Sequence, residues 1–259
     1  MKSAFLFAGL MMLCGVVLAK VKTDKVEYKQ GDTVLQGYLS YDPDVQGKRI
    51  GILVVPDWMG VSDKARMRGE MLASMGYVAL VADVYGKDVR PKDGKEASAE
   101  AGKFYADRAL FRSRVRAGLE YLSSQAQTDP QNLGVVGYCF GGAGARELAR
   151  SGAPVKAIVT FHGGLATPHP EDAKNIKGRV LVLHGADDPF VKQTDVTAFM
   201  DEMRKGGVDW QLVQYGGAVH SFTDKTAGDD NSKGQAYNEN ADRRSWKAMT
   251  DFLTEVFGK

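Results

Sequence analysis

The sequence predicts an α/β fold: a mostly parallel sheet flanked by helices on both faces, entered through an N-terminal antiparallel hairpin. Three observations lead there. From residue 50 onward, short β-branched runs alternate with longer helical stretches, the pattern of parallel βαβ units. Runs such as Ile52-Leu53-Val54-Val55 are apolar throughout, as strands buried on both faces must be. A strand candidate at 133–136 then runs directly into a cysteine set between glycines, with a helix candidate over 145–150 just beyond it.

The chain opens differently from the way it continues. Lys2 gives a basic start, residues 4–18 form an almost uncharged apolar run, and Val17-Leu18-Ala19 places small residues before Lys20. This is the pattern of a secretory signal peptide cut after Ala19, which predicts an exported, periplasmic or secreted protein without stable membrane insertion. The alternative is an uncleaved anchor, for which the run falls short of the ~20 residues a span needs. Residues 20–259 are then one domain. Cleavage removes Cys14 and leaves Cys139 alone, so an exported chain keeps a single thiol that can form no disulfide within itself. Such a cysteine is there for its reactivity or as a small apolar filler.

The hairpin is expected over 24–40, its arms Val26-Glu27-Tyr28 and Val34-Leu35-Gln36-Gly37-Tyr38 separated by Gly31-Asp32. Parallel strands follow at 51–55, 78–84, 133–136, 157–161, 179–183 and 210–215. Leu110, Val115, Leu119 and Leu122 share one face of a helix over 107–124, on which Arg108, Arg112 and Arg116 form a second row, expected to be a solvated face. A last helix carries Trp246, Met249, Leu253 and Val256 at helical spacing and should pack on the sheet. Two polar stretches, 87–103 and 223–240, read as long loops, which in a compact domain are often functional. The chain of 259 residues has 44% apolar and 25% charged residues, with 34 basic against 32 acidic side chains. That balance gives no electrostatic reason for a nucleic-acid or anionic-membrane partner, and nothing demands an oligomer, so a monomer is expected.

Chemistry concentrates at three strand ends. Val135-Val136-Gly137-Tyr138-Cys139-Phe140-Gly141-Gly142 is the nucleophile-elbow pattern G-x-S-x-G with sulfur in place of the serine oxygen. A side chain at 137 or 141 would crowd the neighbouring strand and helix, and the helix N-terminus beyond Cys139 favours a thiolate and offers N–H groups to an oxyanion. In Gly185-Ala186-Asp187-Asp188-Pro189-Phe190-Val191 either aspartate could orient a base; Asp188 fits G-x-x-D-x-x-V, leaving Asp187 to cap the turn. Of the four histidines, His184 and His162 end strands, the first as a structural residue donating to a backbone group and the second able to line a pocket, while His169 lies exposed between prolines. Only His220 follows the acid, which gives the order nucleophile, acid, histidine.

With these motifs the chain, from about residue 24 to its end, resembles the dienelactone hydrolase family of α/β-hydrolases, whose members use a Cys-His-Asp triad. The likeness rests on Gly137–Gly142, the acid turn, Val219-His220-Ser221-Phe222, and the segment Ala236-Tyr237-Asn238 with Asp242-Arg243-Arg244-Ser245-Trp246. It implies oxyanion donors at the backbone N–H groups of Trp58 and Phe140, and a small ester or lactone as substrate. It also exposes departures. Asp57 stands where a glutamate engages the resting thiol, and Gly86 and Asp224 stand where arginines grip a substrate carboxylate. Asp57, Tyr85 and Lys87 are therefore the candidates for activation or substrate contact, with Lys225 a further nearby cation. The chemistry needs no metal or organic cofactor, and no Cys/His cluster has metal-ligand spacing. Rival readings are a non-catalytic ligand-binding protein on a hydrolase scaffold and an acyltransferase that uses the same thioester.

Overall fold

A computed structural model describes residues 20–258. The expected leader, its cleavage point and Cys14 lie outside the described residues. The hairpin forms as expected from β1 (Lys22–Gln30) and β2 (Thr33–Tyr41), and its turn is made by Gly31, whose φ of 55° is the left-handed conformation that glycine adopts without penalty. The strands β3 (Arg49–Val55), β4 (Val78–Val81), β5 (Thr128–Tyr138), β6 (Ala157–Phe161), β7 (Arg179–Gly185) and β8 (Trp210–Tyr215) complete an eight-stranded sheet in the order β1-β2-β4-β3-β5-β6-β7-β8. Only the pairings of β2 are antiparallel; β4, β3 and β5 to β8 run parallel.

Helices α1 (Asp63–Ser74) and α6 (Glu239–Phe257) cover one face through Leu72, Met249, Phe252 and Leu253. The other face is covered by α2 (Gly94–Ala106), α3 (Arg108–Ser123), α4 (Phe140–Arg150) and α5 (Gln193–Gly206), which bury Phe104, Phe111, Val115, Leu148 and Phe199. The sheet is thus sandwiched, and its C-terminal edge is left for loops, where open α/β sheets bind ligands.

Three expectations need correction. Residues 87–103 are not one loop, because α2 begins at Gly94. Asp93 accepts the Glu96 N–H at 2.9 Å while the Glu96 carboxylate accepts the Lys92 N–H at 2.9 Å, a reciprocal cap that starts the helix, and Ala97, Ala101 and Phe104 form its buried stripe. The strand expected over 78–84 stops at Val81. The Asp83 carboxylate collects the N–H groups of Gln36, Tyr85 and Gly86 at 3.0–3.1 Å and turns the chain out of the sheet. The arginine row on α3 is not a solvated face. Arg112 pairs with Glu147 at 2.8 Å and Asp172 at 2.7 Å, Arg116 donates to Ser151, and Arg108 lies 4.9 Å over the Tyr105 ring. Glu147 in turn holds Arg150, which forks onto Glu202 of α5 at 2.7 and 2.8 Å, so a chain of buried charges fastens α3, α4 and α5 together. Residues 223–238 stay irregular, with two short 3-10 turns, until α6 begins.

Candidate active site

The cysteine is held by its own neighbourhood in sequence. β5 ends at Tyr138, α4 starts at Phe140, and Cys139 between them takes φ 53° and ψ −116°. A Cβ on Gly137 would collide with the carbonyl of Gly141, and a Cβ on Gly141 would collide with the carbonyls of Val55 and Pro56. Both glycines are needed because strand and helix approach too closely for any side chain, which is the crowding expected of the elbow. The Cys139 N–H is anchored on the Phe161 carbonyl at 3.0 Å, which ties the turn to the end of β6. The sulfur is left half-buried and free.

The acid and the histidine arrive from β7 and β8. Asp188 is the aspartate that faces the histidine: its Oδ2 lies 2.8 Å from His220 Nδ1, its Oδ1 accepts the Phe190 N–H at 2.9 Å, and its side chain is wholly buried. Asp187 instead accepts the Gly217 N–H at 2.9 Å and braces the loop that carries the histidine. His220 Nε2 comes within 3.0 Å of Cys139 Sγ. Its backbone is clipped on both sides, N–H to the Gly234 carbonyl at 3.2 Å and carbonyl from the Ala236 N–H at 3.0 Å. Burial pulls the imidazolium down, but hydrogen bonds to Asp188 and Cys139 and their charges outweigh it and push the His220 pKa up to about 10. A ring in this setting is suited to keep a proton taken from the neighbouring thiol.

The other histidines separate cleanly. His162 lines the cavity beside Cys139, bonded to Thr223 Oγ1 at 2.9 Å, with its ring edge-on to His220 at 5.3 Å. Burial, then the His220 charge, holds His162 well below the usual histidine range, so it stays neutral. His184 is buried at its strand end and His169 is exposed beside Glu171. The Nδ1 of His184 has no partner among the described residues, so the backbone acceptor expected for it is not found there. Among the described residues, three non-glycine side chains sit at positive φ: Cys139, His162 and Ser221. All three line the same cavity. Strain gathered in one place, where the surrounding structure must enforce it, marks a functional site.

Two cavities open on the sulfur and share Trp58, Cys139, Ser221 and Gln235. One, of about 240 Å³, is polar and includes Asp57, Lys64, Arg68 and Asp224. The other, of about 280 Å³, is walled by Tyr105, Phe190 and Val191, with Phe190 edge-on to His220 at 5.5 Å. Asp57 and Trp58 therefore reach the site, while Phe140 lines neither cavity and stands next to Cys139 as the first residue of α4, where helix N–H groups lack intrahelical partners. Tyr85 and Lys87 do not come to these cavities as substrate contacts. Tyr85 is buried against Phe104 and Phe140 and donates to the Trp58 carbonyl at 2.8 Å, so it supports the Trp58 loop from behind. Lys87 is drawn to Glu27 on the hairpin at 2.7 Å, and Lys225 lies over the Tyr237 ring. Sequence reasoning missed Lys64, Arg68, Tyr105, Phe190, Ser221 and Gln235. The N-cap Ser62 just after the Trp58 loop is a local signal that could have placed a helix start, and hence Lys64, near the site.

An eight-stranded, mostly parallel sheet with its candidate site on the loops beyond strands β5, β7 and β8 is the α/β-hydrolase fold. Within that class the dienelactone hydrolase family matches residues 35–257, and the chain belongs to that family. The solved structure called m3DLH is 43% identical, covering 91% of this chain and 98% of its own, with a TM-score of 0.88. A dienelactone hydrolase-like promiscuous phosphotriesterase from metagenomic libraries is also 43% identical over the same shares, with a TM-score of 0.87. A proposed carboxymethylenebutenolidase of Synechocystis is 26% identical over 251 residues, 91% of this chain and 98% of that protein.

Proposed function

We propose that the protein hydrolyses a small carboxylic ester or lactone by thiol catalysis, with Cys139 as nucleophile, His220 as base and Asp188 as the acid that orients it. The observation that carries this reading is the continuous line Cys139 Sγ, His220 Nε2, His220 Nδ1, Asp188 Oδ2, with gaps of 3.0 and 2.8 Å. His220 accepts the thiol proton, and the sulfur attacks the acyl carbon. The oxyanion is held by the N–H groups of Phe140 and Trp58; the C–O bond then breaks and the leaving oxygen takes the proton from His220. Water, deprotonated by the same ring, attacks the acyl-thioester and releases the acid and the thiol. Asp188 keeps a proton on Nδ1 so that Nε2 faces the sulfur.

The test is Cys139→Ala against a panel of aryl esters, enol-lactones and one aryl phosphotriester, the last because a relative of 43% identity is named for that activity. The expected outcome is loss of at least about a thousand-fold in kcat/KM; turnover within a few-fold of the unaltered protein would end the assignment. Iodoacetamide reports on the same pair: alkylation at neutral pH is expected to slow in His220→Ala. A thiol inert in both would favour a ligand-binding protein on this scaffold. Added alcohol as acceptor separates hydrolysis from acyl transfer.

Export is part of the same proposal and rests on the N-terminal pattern of Lys2, the apolar run over 4–18 and Ala19. Among the described residues no helix is long and apolar enough to cross a membrane. Sequencing the N-terminus of the protein from its native compartment should give Lys20; an intact Met1 would overturn it. The mature chain is proposed to act as a monomer.

A further inference from the structure

Building on that hydrolytic reading, we propose that Lys64 makes the polar half of the site selective for esters whose acyl portion carries an uncharged hydrogen-bond acceptor, and that this half turns away acyl portions that carry a carboxylate. Lys64 stands in the first turn of α1, and its ammonium lies 3.0 Å from Asp57 Oδ2 and 2.6 Å from Asp224 Oδ2. Neither carboxylate is free to swing aside. Asp57 Oδ1 accepts the Met59 N–H at 2.9 Å, and Asp224 Oδ1 accepts the Thr226 N–H at 2.9 Å and its hydroxyl at 2.7 Å. One lysine thus bridges two fixed anions in the wall of the cavity beside Cys139.

An ammonium has three N–H donors, of which the two aspartates take two. The third remains for a ligand, and the charge of that ligand decides the outcome. A carbonyl, ether or hydroxyl oxygen can accept it without disturbing the bridge. A carboxylate would become a third anion on one cation, close to two others that cannot move. No other cation in this cavity is available to offset it. Arg68 is spent on the Thr223 carbonyl at 2.6 Å and on Asp242 at 3.5 Å, and its guanidinium lies 5.4 Å from the Tyr138 ring and 5.8 Å from the Trp246 ring. His162, the remaining basic group in the wall, is neutral. The opposite cavity, walled by Tyr105, Phe190 and Val191, has no basic side chain but His220 and suits an apolar leaving group.

The experiment compares two p-nitrophenyl esters of glutaric acid, one with the distal carboxyl methylated and one with it ionised at pH 7.5. The unaltered protein should favour the methylated substrate in kcat/KM by at least about ten-fold, since like charges set together in a partly buried cluster are strongly disfavoured. Asp224→Asn and Asp57→Asn each keep the Oδ1 acceptor and remove one anion, and each should cut that preference several-fold. Because the preference is a ratio measured within one protein, a general loss of folded enzyme cancels. Lys64→Met should lower turnover of the methylated substrate relative to p-nitrophenyl hexanoate, which lacks the acceptor. Protection of Cys139 from iodoacetamide by dimethyl glutarate against glutarate reads the same selectivity without turnover. Equal kcat/KM for the two esters, or a ratio untouched by both Asp→Asn variants, overturns the selectivity and leaves the hydrolase intact. Selective protection without any hydrolysis overturns the hydrolase and leaves the selectivity.

Discussion

Cys139 and His220 meet at 3.0 Å, yet the chain brings them there by opposite means. The cysteine is placed by residues within two positions of it: Gly137 and Gly141 let β5, α4 and β3 close on one another, and the turn has no alternative course. The histidine is placed by residues far from it in sequence. Asp188 holds its ring, Asp187 holds its loop through Gly217, and Gly234 and Ala236 clip its backbone from the far side of an irregular stretch. A position fixed by short-range backbone crowding leaves a dense local signature. One fixed by a few scattered hydrogen bonds leaves single residues that mean little until the fold unites them.

Breaking each side should therefore give different symptoms. The largest expected effect is on chemistry from the histidine side. On the proposed mechanism, Asp188→Asn leaves the shape but loses the charge opposite the ring, and kcat should fall by about ten-thousand-fold. A value within ten-fold in a steady-state assay would remove Asp188 from its role. On the cysteine side the dominant effect should be on folding. Gly141→Ala drives a methyl group into the Val55 and Pro56 carbonyls, backbone on both counts, and should cost at least about 3 kcal/mol in urea denaturation. The smallest effect sharpens the contrast. Gly216, in the loop before His220, has nothing within 4 Å of a Cβ and no positive φ, so Gly216→Ala should change stability by less than about 0.5 kcal/mol. Equal losses from these two alanine substitutions would erase the difference between the two sides.

The same contrast explains what was legible in the sequence. The central parallel strands could be read because β3, β4 and β6 are nearly unbroken apolar runs buried on both faces, and the elbow because its glycines stand next to the residue they serve. Asp188 followed from the G-x-x-D-x-x-V pattern and His220 from chain order. Helix α2 was hidden by its polarity, since only Ala97, Ala101 and Phe104 turn inward; its reciprocal cap through Asp93 and Glu96 was the signal that could have revealed it. Helix α4 was expected only from Ala145, because Gly141, Gly142 and Gly144 argue against helix by propensity, yet close packing on the sheet overrides that cost. The arginines of α3 looked solvated because Glu147, the acid that buries Arg112, lies 35 positions away. The bridge made by Lys64 was beyond reach for the same reason, since Asp224, one of its two partners, is 160 residues distant.

The left-handed backbone at Cys139 has one more consequence. With helix α4 beginning at the next residue, that peptide cannot relax without undoing the helix, so the backbone that carries the thiol stays at the cavity wall. The protein thus carries its one described thiol, half-buried, where two cavities meet. Its defence against stray oxidants and alkylators then comes from what surrounds the opening, with Phe190 on one rim and the Asp57–Lys64–Asp224 bridge on the other.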